Sequence, residues 1–112
     1  HMDPPTYLDS GGKKLFKSIV KLFKETDLLN EADINEIARY CDLTQEYKSC
    51  NRRLKRNGRF TDGKPNPDLR MKLQISAELD KLAKNLGLNP AARASLAINM
   101  TDEQKGNDDD DF

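Results

Sequence analysis

Two Asn-Pro pairs, Asn66-Pro67 and Asn89-Pro90, constrain the fold of this chain more than any other feature. Asparagine caps free backbone donors at a helix start, and proline in the first helical position loses no hydrogen bond. Between the pairs, Gly87-Leu88 is typical of a helix end with a left-handed glycine and a following apolar contact. Residues 62–96 are therefore predicted to form a turn, a helix of about five turns, a sharp corner and a short second helix.

An amphipathic first helix is predicted to begin around Ser10 to Lys13, and its two faces are well divided from Lys13 onward. At 100° per residue, apolar side chains occupy one arc and lysines the other. The lysine arc is either the solvated outer face of a core helix or a surface for a polyanion. Soluble surfaces normally intersperse positive and negative charges, so five lysines without any acid from Gly11 to Lys24 exceed what solubility needs. The apolar arc contains Leu15, Phe16, Ile19, Val20, Leu22 and Phe23, and the other arc contains Lys13, Lys14, Lys17, Lys21 and Lys24.

A long second helix is predicted from a cap at or near Asn30 to Arg56. Its apolar stripe changes face midway, and a helix with two apolar faces needs two partners. Either a kink within 42–44 lets both halves pack on one core, or the second face meets a neighbouring subunit. The first stripe contains Ile34, Ile37, Ala38 and Cys41, and the second contains Tyr40, Leu43, Tyr47, Cys50 and Leu54.

The end of this second helix is strongly basic, with no acid between Tyr47 and Thr61. A helix C-terminus favours cations by about 0.3–1 kcal/mol each, which accounts for two or three of them. The excess predicts a polyanion site, and a solvated face is the alternative. After it, Asn57-Gly58 should end the helix, and Asp62-Gly63 permits a tiny β-hairpin over 59–65. The basic residues are Lys48, Arg52, Arg53, Lys55, Arg56 and Arg59.

The chain has a basic body and an acidic C-terminal tail. The formal net charge is zero, but residues 1–100 carry 18 basic and 13 acidic side chains, whereas residues 101–112 carry one and six. We expect a flexible arm over 1–11, one helical oligomerisation and DNA-binding domain over 12–98, and a disordered acidic tail over 99–112. The tail is a solvated end, a competitor of DNA for the basic body, or a docking segment for another protein.

The residues needed for an enzyme are missing from the sequence. His1 is the only histidine, there is no glycine-rich phosphate loop, and neither Cys41 nor Cys50 has a base nearby in sequence. Nine residues apart on one helix, the two thiols lie about 13 Å apart and should be free. We therefore expect no catalytic residues, metal or cofactor. No apolar run reaches the length of a membrane span.

The segment Lys64-Pro65-Asn66-Pro67, followed about 20 residues later by Leu86-Gly87-Leu88-Asn89-Pro90, resembles the small subunit of the DNA-packaging terminase of cohesive-end tailed phages. The resemblance covers roughly residues 4–97 and includes the amphipathic first helix and the basic turn. It implies an all-α fold: a hairpin of long helices and a short C-terminal helix, assembling into a ring. The ring would use Tyr40, Leu43, Tyr47, Leu54, Met71, Ile75, Leu79, Leu82 and Leu86.

The resemblance also implies a function in the cytoplasm of the host cell. Such small subunits are not enzymes; they bind viral double-stranded DNA at the packaging start and recruit or regulate the large subunit, which carries the ATPase and nuclease activities. The chain lacks an obvious separate helix-turn-helix domain, so the predicted DNA contacts are the two basic helix faces, with phosphate contact dominant. The alternatives are a small helical adaptor that does not bind DNA and a stand-alone nucleoid-like protein.

Overall fold

The computed structural model describes residues 3–26 and 34–103. The elements in these ranges are α1 (Ser10–Glu25), α2 (Ile34–Asn57), β1 (Phe60–Thr61), β2 (Lys64–Pro65), α3 (Pro67–Leu86) and α4 (Pro90–Glu103). The predicted all-α class is confirmed, as are the two long helices of the hairpin and the tiny β-hairpin. The predicted cap at Asn30 and the acidic run from residue 108 lie outside the part of the chain that the structure describes.

Helix α1 begins at Ser10, within the predicted start of Ser10 to Lys13. The Asp9 carboxylate accepts a hydrogen bond of 2.7 Å from the Gly12 N–H, so Asp9 is the N-cap. Leu8 is buried in the core, and the predicted arm over 1–11 therefore includes residues that pack against the domain. Gly11 is tolerated in the first turn because the helix approaches α2 closely there: a Cβ at Gly11 would collide with the Gln45 side-chain amide.

Helix α2 is one uninterrupted helix with partners on both faces. It packs most extensively against α3 and also against α1. Neither of the two explanations offered for its second apolar face is found: α2 has no break within 42–44, and α3 of the same chain, rather than a neighbouring subunit, covers that face. Because α3 returns antiparallel to α2, Arg53 meets Asp68 near one end and Arg39 meets Glu78 further along.

The connection between α2 and α3 is a tight β-hairpin. Gly58, with φ of 88°, ends α2 in the left-handed region, as the Asn57-Gly58 pair predicted. Asp62 and Gly63 have φ of 53° and 77°, and positive φ at both central residues defines a type I′ turn, which suits the twist of a two-residue hairpin. Phe60 pairs with Pro65 and Thr61 with Lys64.

The predicted N-terminal caps of α3 and α4 and the predicted end of α3 are confirmed. Asn66 Oδ1 caps α3 by accepting the Asp68 N–H at 2.9 Å, and Asn89 Oδ1 accepts the Ala92 N–H at 2.7 Å. Gly87, with φ of 77°, ends α3, while the Leu88 N–H donates to the Ala83 carbonyl at 2.8 Å and the Leu88 side chain is buried. Helix α4 continues to Glu103, beyond the predicted domain boundary at 98.

One hydrophobic core joins the four helices. Its centre is aromatic and aliphatic, with Phe16, Phe23, Ile19 and Ile37 fully enclosed. The predicted apolar arc of α1 faces this core, except that Leu22 is only half-buried. Both cysteines are buried and free. The N-terminal end of α1 lies against the middle of α2, so the basic end of α2 continues beyond this contact to the β-hairpin, and this arrangement positions the candidate site.

Candidate nucleic-acid interface

The predicted lysine face of α1 is on the surface. Lys14, Lys17, Lys21 and Lys24 are exposed and Lys13 is half-buried, while the opposite face of the helix is in the core. No acid interrupts this face within α1 before Glu25. Five ammonium groups along one helix side create a local positive potential that could attract a polyanion.

The second basic cluster surrounds the end of α2. Arg52, Lys55, Arg56 and Arg59 are exposed, while Lys48 and Arg53 are half-buried. Lys64, which sequence reasoning did not select, lies on strand β2 and is also exposed. Within residues 3–26 and 34–103, no carboxylate lies in ion-pair range of Arg56, Arg59 or Lys64. These three cations are therefore available to an anionic ligand.

Arg53 is the exception among the predicted DNA contacts. Its Nε donates to Asp68 Oδ2 and its Nη2 donates to Asp68 Oδ1, both at 2.9 Å, so that the guanidinium and the carboxylate form a bidentate pair. This hydrogen bonding holds the pKa of Asp68 below its ordinary value and raises the pKa of Arg53. The pair joins the end of α2 to the first turn of α3. Arg53 therefore has a structural role in fixing the position of the β-hairpin between these helices.

Cys50 lies in the same cluster as this ion pair. Its Sγ is 3.6 Å from Asp68 Oδ1 and 3.4 Å from Arg53 Nη2. Burial, and next the neighbouring Asp68 carboxylate, raise the pKa of the Cys50 thiol, although Arg53 opposes them. Burial also raises the pKa of Cys41. Both thiols are therefore protonated and poorly nucleophilic at neutral pH.

The two basic clusters occupy different parts of the molecule. Gly11 lies against Gln45, so the N-terminal end of α1 is beside the middle of α2. From Gln45 to Arg52 the helix rises by about 10 Å. The end of α1 with Lys13 and Lys14 therefore lies nearer to the basic end of α2 than the end with Lys24.

Most of the predicted oligomer contacts are buried inside one chain. Met71 is 48% exposed, whereas Leu43 and Tyr47 are half-buried against the core. The other six are buried and offer no free apolar surface to a second copy: Tyr40, Leu54, Ile75, Leu79, Leu82 and Leu86. The oligomer itself stays a prediction.

Apart from Met71, the exposed apolar side chains were not among the residues predicted for the oligomer interface. Leu73 on α3 is 69% exposed, and Leu69 and Ala77 follow the same helical ridge at four-residue spacing. Phe60 on the hairpin is 67% exposed. The four-residue spacing of Leu69, Leu73 and Ala77 predicts this second apolar ridge beside the main apolar stripe of α3. Only the packing of α3 on α2 decides which of the two is covered.

The four helices contain no membrane-spanning segment, since none of those described has a long enough apolar stretch. Likewise, residues 3–26 and 34–103 hold no group of three metal-ligating side chains.

Comparison with known families agrees with this picture of a small helical protein. Residues 12–103 match the family model described as phage terminase, small subunit. Neither the curated proteins nor the solved structures that were compared give a match. The family match covers most of the chain, so this chain belongs to the phage terminase small-subunit family.

Proposed function

We propose that this chain is the DNA-binding, non-enzymatic subunit of a phage packaging terminase. It binds double-stranded DNA at the packaging start through Lys and Arg contacts to phosphates. It assembles into a ring of identical subunits, and it brings the DNA to the large subunit that carries the ATPase and nuclease activities. The host cell cytoplasm is where this assembly works.

One observation carries the DNA-binding part of the proposal. Arg56, Arg59 and Lys64 are exposed around one end of the molecule, and no described carboxylate is within ion-pair range of them. A protein that neutralises phosphates releases condensed counterions, which makes clustered, unneutralised cations the main requirement for DNA affinity. Membership of the family supplies the reason why the polyanion should be viral DNA.

The proposal is tested with paired charge-removing variants. Arg56→Gln with Arg59→Gln should weaken binding to duplex DNA about tenfold at low salt and reduce the slope of log affinity against log salt by about two. Lys81→Gln with Lys84→Gln removes two exposed cations from the far half of α3 and is the matched control, which should change affinity little. Affinity is measured by fluorescence anisotropy between about 50 and 200 mM salt.

Two results would contradict the proposal. Wild-type protein that does not bind duplex DNA at about 50 mM salt would lack the phosphate contacts argued above. Equal losses from both pairs of variants would mean that only total charge matters. The adaptor alternative would instead give unchanged DNA behaviour together with binding to an acidic protein partner.

A further inference from the structure

The β-hairpin between α2 and α3 has one apolar and one polar face. Opposed residues of antiparallel strands project to the same side of the sheet. The pairing of Phe60 with Pro65 therefore gives an apolar face, and the pairing of Thr61 with Lys64 gives a polar one. Both faces are exposed, so the aromatic ring of Phe60 extends into solvent without cover from the body.

The hairpin is anchored firmly at its base. Asn66 is buried; its Nδ2 donates to the Gly58 carbonyl at 2.9 Å, and its backbone N–H donates to the Arg59 carbonyl at 2.8 Å. The ion pair of Arg53 with Asp68 ties together the two helices on either side. Because the base is fixed, little conformational entropy remains to be lost when the tip binds a ligand.

The charge around Phe60 selects the kind of ligand. From Lys48 to Pro67 the sequence contains a single acid, Asp62 in the turn, while Arg56 lies in the last turn of α2 and Arg59 and Lys64 lie in the hairpin segment. A positively charged environment attracts a polyanion. Charge complementarity therefore favours DNA as the partner of this exposed aromatic side chain.

We infer that residues 59–65 enter the major groove of duplex DNA, where Phe60 contacts thymine methyl groups and Arg59 and Lys64 contact phosphates. This inference rests on the proposed function, because it requires that the chain binds DNA. The major groove, about 12 Å wide, accepts a two-stranded β-ribbon and exposes the C5 methyl group of thymine, which the minor groove does not. Apolar side chains such as phenylalanine read thymine there through its C5 methyl group. The hairpin thus gives the chain a preference for A·T pairs that phosphate contacts do not provide.

The test combines a protein variant with a DNA variant. Wild type and Phe60→Ala are titrated with two duplexes of the same sequence, one with thymine and the other with deoxyuridine, which lacks only the C5 methyl group. Wild type should bind the thymine duplex more tightly by about fourfold for each methyl group that it removes from water. The Phe60→Ala variant should bind both duplexes equally, and its salt slope should match that of wild type because no charge is lost.

Three controls isolate the contact. Tyr7→Ala removes another exposed aromatic ring, 65% exposed on the N-terminal segment, and should leave the thymine preference intact. Arg59→Gln should reduce the salt slope by about one and keep the preference. The Phe60→Ala variant should also retain the oligomeric mass and the unfolding temperature of wild type, because its ring lies outside the core.

Distinct results would overturn the inference. Equal wild-type affinity for the two duplexes, in a protein that binds both, rejects the groove contact and leaves the proposed function standing. A Phe60→Ala variant with altered oligomeric mass would instead assign the Phe60 side chain to an interface between subunits. Wild-type protein that binds neither duplex would reject the proposed function and this inference together.

Discussion

At the residue scale, the ion pair of Arg53 with Asp68 shows how one contact separates two functions. Arg53 belongs by sequence to the basic run, yet both oxygens of Asp68 accept hydrogen bonds from its guanidinium. Its side chain is 40% exposed, compared with 18% for Asp68, so the pair is only partly shielded from solvent. Such a pair contributes modestly to stability, and its main effect is to fix the hairpin that carries the neighbouring free cations.

We predict that Asp68→Asn lowers the free energy of unfolding by about 1 kcal/mol near neutral pH. The folded-state pKa of Asp68 is lowered by Arg53, so its stabilisation is present above the unfolded value of about 3.9 and is lost as the pH falls through the folded pKa. The difference between wild type and variant should therefore shrink as the pH falls from about 6 to about 2.5. Urea unfolding at both pH values measures it.

Asp80→Asn is the control for this prediction. Asp80 also pairs with an arginine, Arg93, at 3.0 Å, but its side chain is mostly exposed. Exposed pairs contribute little, so the loss should stay below about 0.5 kcal/mol. Equal losses from the two variants would show that the position of Asp68 between α2 and α3 has no special effect.

At the element scale, helix ends were the most predictable features. Asn66, Asn89 and Gly87 act where the sequence placed them, because caps depend on the local hydrogen bonding and dihedral angles of a few residues. The start of α1 was less clear, since Gly11 and Gly12 disfavour a helix by propensity alone. The Asp9 side chain was the available signal, but the close contact with Gln45 that accommodates Gly11 is tertiary.

We predict that Gly87→Ala destabilises the protein by about 1 kcal/mol, because an L-residue is strained at a φ of 77°. Nothing lies within 4 Å of a Cβ built at Gly87, so a steric clash would not contribute. Asn85→Ala, at an exposed position in the same last turn of α3, is the matched control and should be neutral or slightly stabilising. Thermal and urea unfolding measure the stability of both variants. A Gly87→Ala variant as stable as wild type would argue against the left-handed helix end.

At the scale of the whole molecule, the question is which apolar surface remains for assembly. Six of the nine residues predicted for an oligomer interface are buried within one chain. The surface left on α3 is the ridge of Leu69, Leu73 and Ala77, together with Met71 on another side of the helix. If the subunits form the proposed ring, this ridge is the better candidate for the contact between them.

We predict that Leu73→Glu reduces the oligomeric mass observed by native mass spectrometry or light scattering. The leucine is 69% exposed, so a charge there should not disturb the fold of one chain, but it would be costly in an apolar contact between subunits. Gln74→Glu adds the same charge at the neighbouring exposed position and should leave the mass unchanged. A wild-type chain that is strictly monomeric across working concentrations would contradict the ring itself.

The sequence by itself determined the helical class, the ends of α3 and the resemblance to the terminase small subunit that the family match confirms, and it permitted the turn that Asp62-Gly63 forms. These features follow from backbone chemistry within a few residues. Only the tertiary structure decided that α3 covers the second face of α2, that Arg53 is held by Asp68, and that Phe60 is left exposed. Such outcomes depend on which distant surfaces meet, and a helical periodicity specifies an apolar face without specifying its partner.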